Sequence, residues 1–142
     1  MATYNKFDQF VQDLGNGVYN NTTHSFKVML TNVAPVATDS VKADLTEIAG
    51  TFGYTTGGNN AATTSWSNAS GTSKLILADP ATWTAAGGSM AAFRYVVLYD
   101  DTPTSPADPL IAWWDYGSSQ ILASGETFTA DFDASNGVYI IA

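Results

Sequence analysis

The sequence predicts a mainly β fold: an antiparallel β-sandwich of jelly-roll or immunoglobulin-like type, with an N-terminal amphipathic helix and one short second helix. Three observations carry this expectation. Alternating apolar stretches recur about every 8 to 12 residues with Gly and Asn turn signals between them. The strongest, 93–100, places Phe93, Tyr95, Val97 and Tyr99 on one face and Val96 and Leu98 on the other, so it must be covered on both sides. Helical spacing is confined to the first half of the chain.

In order, Phe7, Phe10, Val11 and Leu14 recur at i, i+3, i+4 and i+7 with Asp8, Gln9, Gln12 and Asp13 opposite, which predicts a helix within 1–17. Asn5 or Thr3 can cap it and Gly15 or Gly17 can end it. Its apolar face belongs either against the chain's own sheet or, as an arm, on a neighbouring subunit. Residues 24–31 alternate Phe26, Val28 and Leu30 against Lys27 and Met29, a strand. Val41, Leu45 and Ile48, preceded by Thr38, Asp39 and Ser40, predict the short second helix, which Gly50 ends.

From 51 to 72 the chain turns to Gly, Asn, Thr, Ser and Ala, which suits two weak strands joined at 57–60 or a long exposed loop. Short strands are expected at 74–77 and 82–84. After strand 93–100, residues 101–109 carry Pro103, Pro106 and Pro109, which withhold three N–H donors and make a stiff loop no ladder can cross. Leu110, Ala112 and Trp114 then oppose Ile111 and Trp113. Gly117 to Ser119 reads as a turn, 120–123 and 126–132 as strands, Asn136-Gly137 as a two-residue hairpin, and 138–141 as the last strand.

The 142 residues, 45% of them hydrophobic, suffice for one core and not two, so a single domain is expected, with the helix in 1–17 and the sandwich over 24–142. No apolar run approaches the roughly 18 residues a membrane span needs, and 1–6 lacks a basic segment leading into an apolar one. Cysteine is absent, which removes disulfides and thiolate metal sites. Thirteen acids against five scattered bases give a net charge of −8, and that field repels a phosphate backbone, so nucleic-acid binding is not expected.

Chemistry-bearing patterns are sparse. The one histidine, His24, has no carboxylate within six positions and no Gly-x-Ser-x-Gly elbow accompanies it. Asp100, Asp101, Asp115, Asp131 and Asp133 sit at strand ends and turns, where Asp is favoured for its local hydrogen bonds. The run from Asp131 to Gly137 begins like a calcium loop, yet its glycine is one position late and Ala142 stands where the loop needs Glu. Neighbouring strand residues point opposite ways, so Trp113 and Trp114 cannot form one sugar-stacking platform; one belongs in the core and the other against a second layer or partner. No enzyme activity, cofactor or metal is expected.

Several stretches carry a resemblance: Tyr4-Asn5-Lys6-Phe7, Lys27-Val28-Met29-Leu30-Thr31-Asn32, Leu45-Thr46-Glu47-Ile48-Ala49 leading to Gly53-Tyr54-Thr55, 93–101, and 109–117 with its Trp113-Trp114-Asp115-Tyr116-Gly117. Through these, over nearly its whole length, the chain resembles a family of small virion-associated structural proteins of tailed bacteriophages and prophages. The resemblance implies a structural component of the particle, assembled in the host bacterial cytoplasm. Joined to the acidic single-domain reading, it suggests a capsid decoration or cement protein on the outside of the head, acting as a homo-oligomer. The major capsid protein is then the first expected partner and tail proteins the second, with a tail or fibre module that binds a receptor glycan as the alternative. Phe7, Phe10, Trp66, Trp83, Trp113, Pro103 and Pro106 are the candidate interface residues.

Overall fold

The computed structural model describes residues 2–142. With 40% strand against 8% helix, the fold is mainly β, and every strand pairing in it is antiparallel. The elements in chain order are β1 (Thr3–Lys6), α1 (Asp8–Gly15), β2 (Phe26–Thr31), β3 (Asn59–Ala61), β4 (Thr63–Ala69), β5 (Thr72–Leu77), β6 (Trp83–Thr84), β7 (Phe93–Asp100), β8 (Leu110–Gln120), β9 (Thr127–Phe128) and β10 (Tyr139–Ile141). They form a five-stranded sheet in the order β1-β8-β7-β2-β3, a three-stranded sheet β10-β5-β4, and the small pair β6-β9.

Register decides which side chains share a face of the large sheet. Leu30 lies opposite Val96, Val96 opposite Trp114, and Trp114 opposite Tyr4, giving one row across four strands. Met29, Val97, Trp113 and Asn5 make the matching row on the other face. Val28, Met29, Leu30, Val96, Val97 and Leu98 are all buried, so the central strands are covered on both sides as their sequence demands. The first face turns towards Phe132, whose ring centroid is 5.2 Å from that of Trp114. On the second face Phe7 packs against Trp113 at 4.5 Å. Across the three-stranded sheet Trp66, Leu75 and Tyr139 form a row, and Tyr139 meets Phe10 of α1 at 5.0 Å.

The helix is shorter than 1–17. Thr3–Lys6 is a strand on the edge of the large sheet, and α1 begins only after the extended Phe7. Its end is a Schellman motif: Val18 N–H donates to Asp13 O, Gly17 N–H donates to Leu14 O, and Gly17 takes φ +75°. The helix docks on its own subunit, with Phe10 buried between Tyr19 and Tyr139.

Five further expectations are corrected. The second helix is only a 3-10 turn over Lys42–Asp44, because the Asp44 carboxylate closes one turn on Ser40 and Val41 N–H while Ile48 N–H is drawn to Leu30 O. Residues 57–60 do not join two strands; the hairpin turn is Ser70-Gly71, both with positive φ, between β4 and β5. Gly117, with φ +84°, lies within an 11-residue β8 rather than ending it. Asn136-Gly137 is no hairpin either. Asp133 folds 133–136 on itself by accepting from Ser135 and Asn136 N–H, and β10 goes on to pair with β5. Of 126–132 only Thr127–Phe128 is strand.

Candidate functional site

A groove of about 820 Å³ lies between the β1 edge of the large sheet and the β10 edge of the three-stranded sheet. Tyr4, Lys6, Val96, Trp114 and Tyr116 supply one wall. Phe132, Val138, Tyr139, Ile140 and Ile141 supply the other, and Phe10, Val11 and Leu14 of α1 close one end. The alternation of β1 and β8 puts Tyr4 and Trp114 side by side on the same face, their rings meeting edge to face at 5.5 Å. A volume of this order lies within the range of about 300 to 1,000 Å³ that binding clefts occupy.

Hydrophobic exposure concentrates here. Eight large hydrophobic side chains are exposed among the described residues, and Tyr4, Val11, Ile140 and Ile141, four of them, line this groove. Scattered single exposures are ordinary; a shared patch marks a contact surface. Burial raises the phenol pKa values of Tyr4 and Tyr116 and pushes that of Tyr139 up to about 12, so all three hydroxyls stay neutral at physiological pH. Tyr139 spends its proton on Asn21 Oδ1 at 2.7 Å. Lys6 and Asp131 are exposed at the walls and neither pairs with another side chain among the described residues.

The edge itself is open. Phe7 N–H donates to Ile111 O, which sets the phase of the β1-β8 ladder: residues 3, 5 and 7 bond inward, and the N–H and C=O of Tyr4 and Lys6 point away from β8. No other segment among the described residues takes those groups.

A second, smaller concavity of about 200 Å³ is lined by Thr22, His24, Ser25, Phe26, Asn60 and Thr63 among others. His24 Nδ1 lies 2.6 Å from Oδ2 of the fully buried Asp100, and Asn20 N–H also points at Nδ1. Burial raises the Asp100 pKa, against the pull of His24 and Thr102 N–H, and a neutral carboxyl there can donate to Nδ1. The pair ties loop 20–24 to the end of β7 and is separated by 76 positions, which is why the sequence did not disclose it. No group of three or more His, Cys, Asp or Glu converges among the described residues. The Asp133 carboxylate is taken up by Asn136 and Ser135, so the calcium-like run serves its own turn.

The candidate interface residues are not brought together. Phe7, Phe10, Trp83 and Trp113 are at most 9% exposed and belong to the core of their own chain rather than to its exposed surface. They carry large apolar areas on strands and a helix packed from both sides, and burial in their own subunit is where such area is most stabilising. Trp66 is half-buried against Tyr139. Pro103 and Pro106 are half-exposed in loop 101–109, outside the groove. The groove residues that sequence reasoning missed had one usable signal. Val138, Tyr139, Ile140 and Ile141 make both faces of β10 apolar, more than a three-stranded sheet can cover.

No helix among the described residues is long and apolar enough to cross a membrane. No protein-family model matches the chain, and no curated protein or solved structure is significantly similar to it.

Proposed function

We propose that this chain is a non-enzymatic structural protein of a bacteriophage virion, most simply a decoration protein on the outside of the head. In this reading the two larger sheets are the layers of a sandwich whose open side, the groove, is the docking surface. The partner is the major capsid protein, and the decoration acts as a homo-oligomer. The observation that supports it is the apolar groove between two unpaired sheet edges, where exposed hydrophobics gather while Asp133, Asp101, Glu47 and Asp115 are spent on turns and ion pairs. Family resemblance supplies the setting; the groove supplies the means. Purified chain added to heads that lack it is expected to bind to saturation at a fixed number per particle. Attachment at the tail alone would overturn the reading.

One observation favours a tail or fibre glycan-binding module instead. Trp114 and Tyr116 present aromatic surface inside the groove beside Asp131 and Asn136, the mix of ring and polar group that sugars use. Glycan-array binding lost in Trp114→Ala would establish that alternative, and a blank array would remove it.

A further inference from the structure

We infer that the groove receives an extended segment of a different protein, which adds to the free edge of β1 as one more strand, turns alternate apolar side chains inward, and brings a lysine or arginine to Asp131. The inference rests on the docking reading above and names what docks.

The backbone argument comes first. Tyr4 and Lys6 each present an unpaired N–H and C=O, two residues apart on one edge, which is the spacing an added strand satisfies. The side chains of the same two residues lie on the face that forms the groove wall. A strand paired to β1 therefore places every second side chain between the two sheets, against Val11, Ile140 and Ile141, which are exposed without it. A compact apolar ligand would cover those side chains and leave the edge bonds unmade.

Charge selects the partner. A second copy would bring another net −8 to a groove that already carries Asp131 and Asp133. Four of its five cations are engaged elsewhere, Lys27 with Asp101 at 2.8 Å, Lys42 with Glu47 at 2.9 Å, Arg94 with Asp115 at 2.7 Å, and Lys74 turned to Ser135 O, which leaves Lys6 as its one unpaired base among the described residues. Asp131 is paired with no cation among the described residues, and a second copy could offer it only one lysine, Lys6, along with eight more net negative charges, so a basic segment from another chain is the better electrostatic match.

The test uses a blocked heptapeptide, Lys-Thr-Val-Thr-Val-Thr-Lys, whose Lys and Val side chains share one face of an extended strand. Two controls are its Glu-for-Lys counterpart and a version N-methylated at alternate amides, which keeps the side chains and cannot pair. Amide exchange followed by NMR is expected to slow about tenfold or more at Tyr4 and Lys6 with the basic peptide at millimolar concentration, and less than about twofold with either control. Lys6→Pro removes only outward-facing groups and leaves the bonds at 3, 5 and 7, so this variant is expected to unfold like the parent and lose the response. Equal protection by the N-methylated peptide, or none by the basic one, overturns the inference. So does slowing that appears in the protein alone as its concentration rises, since that is a second copy closing the edge. Heads saturated equally by parent and Lys6→Pro would leave decoration standing and sink the added strand; heads bound by neither would sink decoration.

Discussion

Replacing Gly58 with alanine tests how rigidly the far edge of the large sheet is seated, and Gly71→Ala is its control. Both glycines have positive φ, +73° and +83°, so both substitutions carry the left-handed penalty of about 1 to 2 kcal/mol. A Cβ at Gly71 meets nothing within 4 Å. At Gly58 it would overlap the carbonyl oxygen of Val28 and stand 2.7 Å from that carbonyl carbon and 2.9 Å from Met29 Cα. Those atoms belong to β2, held between β7 and β3 with both residues fully buried, so β2 does not give way. Residue 58 must retreat instead. That breaks its N–H bond to Thr55 O and the bond from Tyr99 Oη to Gly57 O, and loosens the pairing of β3. Two hydrogen bonds at about 1 kcal/mol each on top of the backbone term give a loss of about 3 to 4 kcal/mol. With a urea m-value of about 1 to 3 kcal/mol/M, Gly58→Ala is expected to lower the unfolding midpoint by about 1 M or more, and Gly71→Ala by about half that or less. Equal shifts for the two variants would refute the steric argument.

Phe7→Ala is expected to cost about 3 to 5 kcal/mol in the same assay, because the ring is fully buried against Trp113; a loss under about 1 kcal/mol would mean it is not core. Glu47 accepts from Tyr54 Oη and Gly57 N–H, both at 2.6 Å, and its other oxygen pairs with Lys42. Glu47→Ala strands these donors and should lose about 2 to 4 kcal/mol, Glu47→Gln about 1 to 2; identical losses would show the network is idle. The acid limb tests Asp100. Ser40 and Val41 N–H hold the Asp44 carboxyl below its usual range, Arg94 does so for Asp115, and Asn136 and Ser135 for Asp133. The stability these contribute is present above the unfolded carboxylate pKa and is lost as pH falls through their lowered values. Buried Asp100 runs the other way: its contribution is full below about pH 4 and fades as pH rises through its raised value. Asp100→Asn removes the opposing term, so stability plotted from roughly pH 6 to 3 should fall more steeply than in the parent; a shallower limb contradicts the burial argument.

What the sequence disclosed follows from where side chains alone decide structure. β2 and β7 alternate large apolar residues, and period two with both faces filled has one solution, a central strand. The α1 face was equally clear, although Val11, one of the four residues of its apparent core stripe, is 53% exposed and belongs to the groove wall. β1 escaped notice because Thr3-Tyr4-Asn5-Lys6 has no apolar alternation; it is a strand through its backbone bonds to β8. Val41, Leu45 and Ile48 kept helical spacing and still became one turn and an extended segment, since Thr31 Oγ1 bonds to Thr46 O and Ile48 N–H bonds to Leu30 O beside β2. Asn136-Gly137 misled through a local rule that Asp133 overrode with three bonds of its own. The groove needed tertiary knowledge, because β1 and β10 come from opposite ends of the chain and meet only through their sheets.

The bend at Ser70-Gly71 projects from the three-stranded sheet, with Ser70 exposed, Gly71 free of neighbours, and neither residue on the groove. A fluorophore, gold cluster or short epitope grafted there would hang in solvent without touching the surfaces argued to matter. That makes this loop the place from which the molecule can be located by microscopy inside an assembled particle.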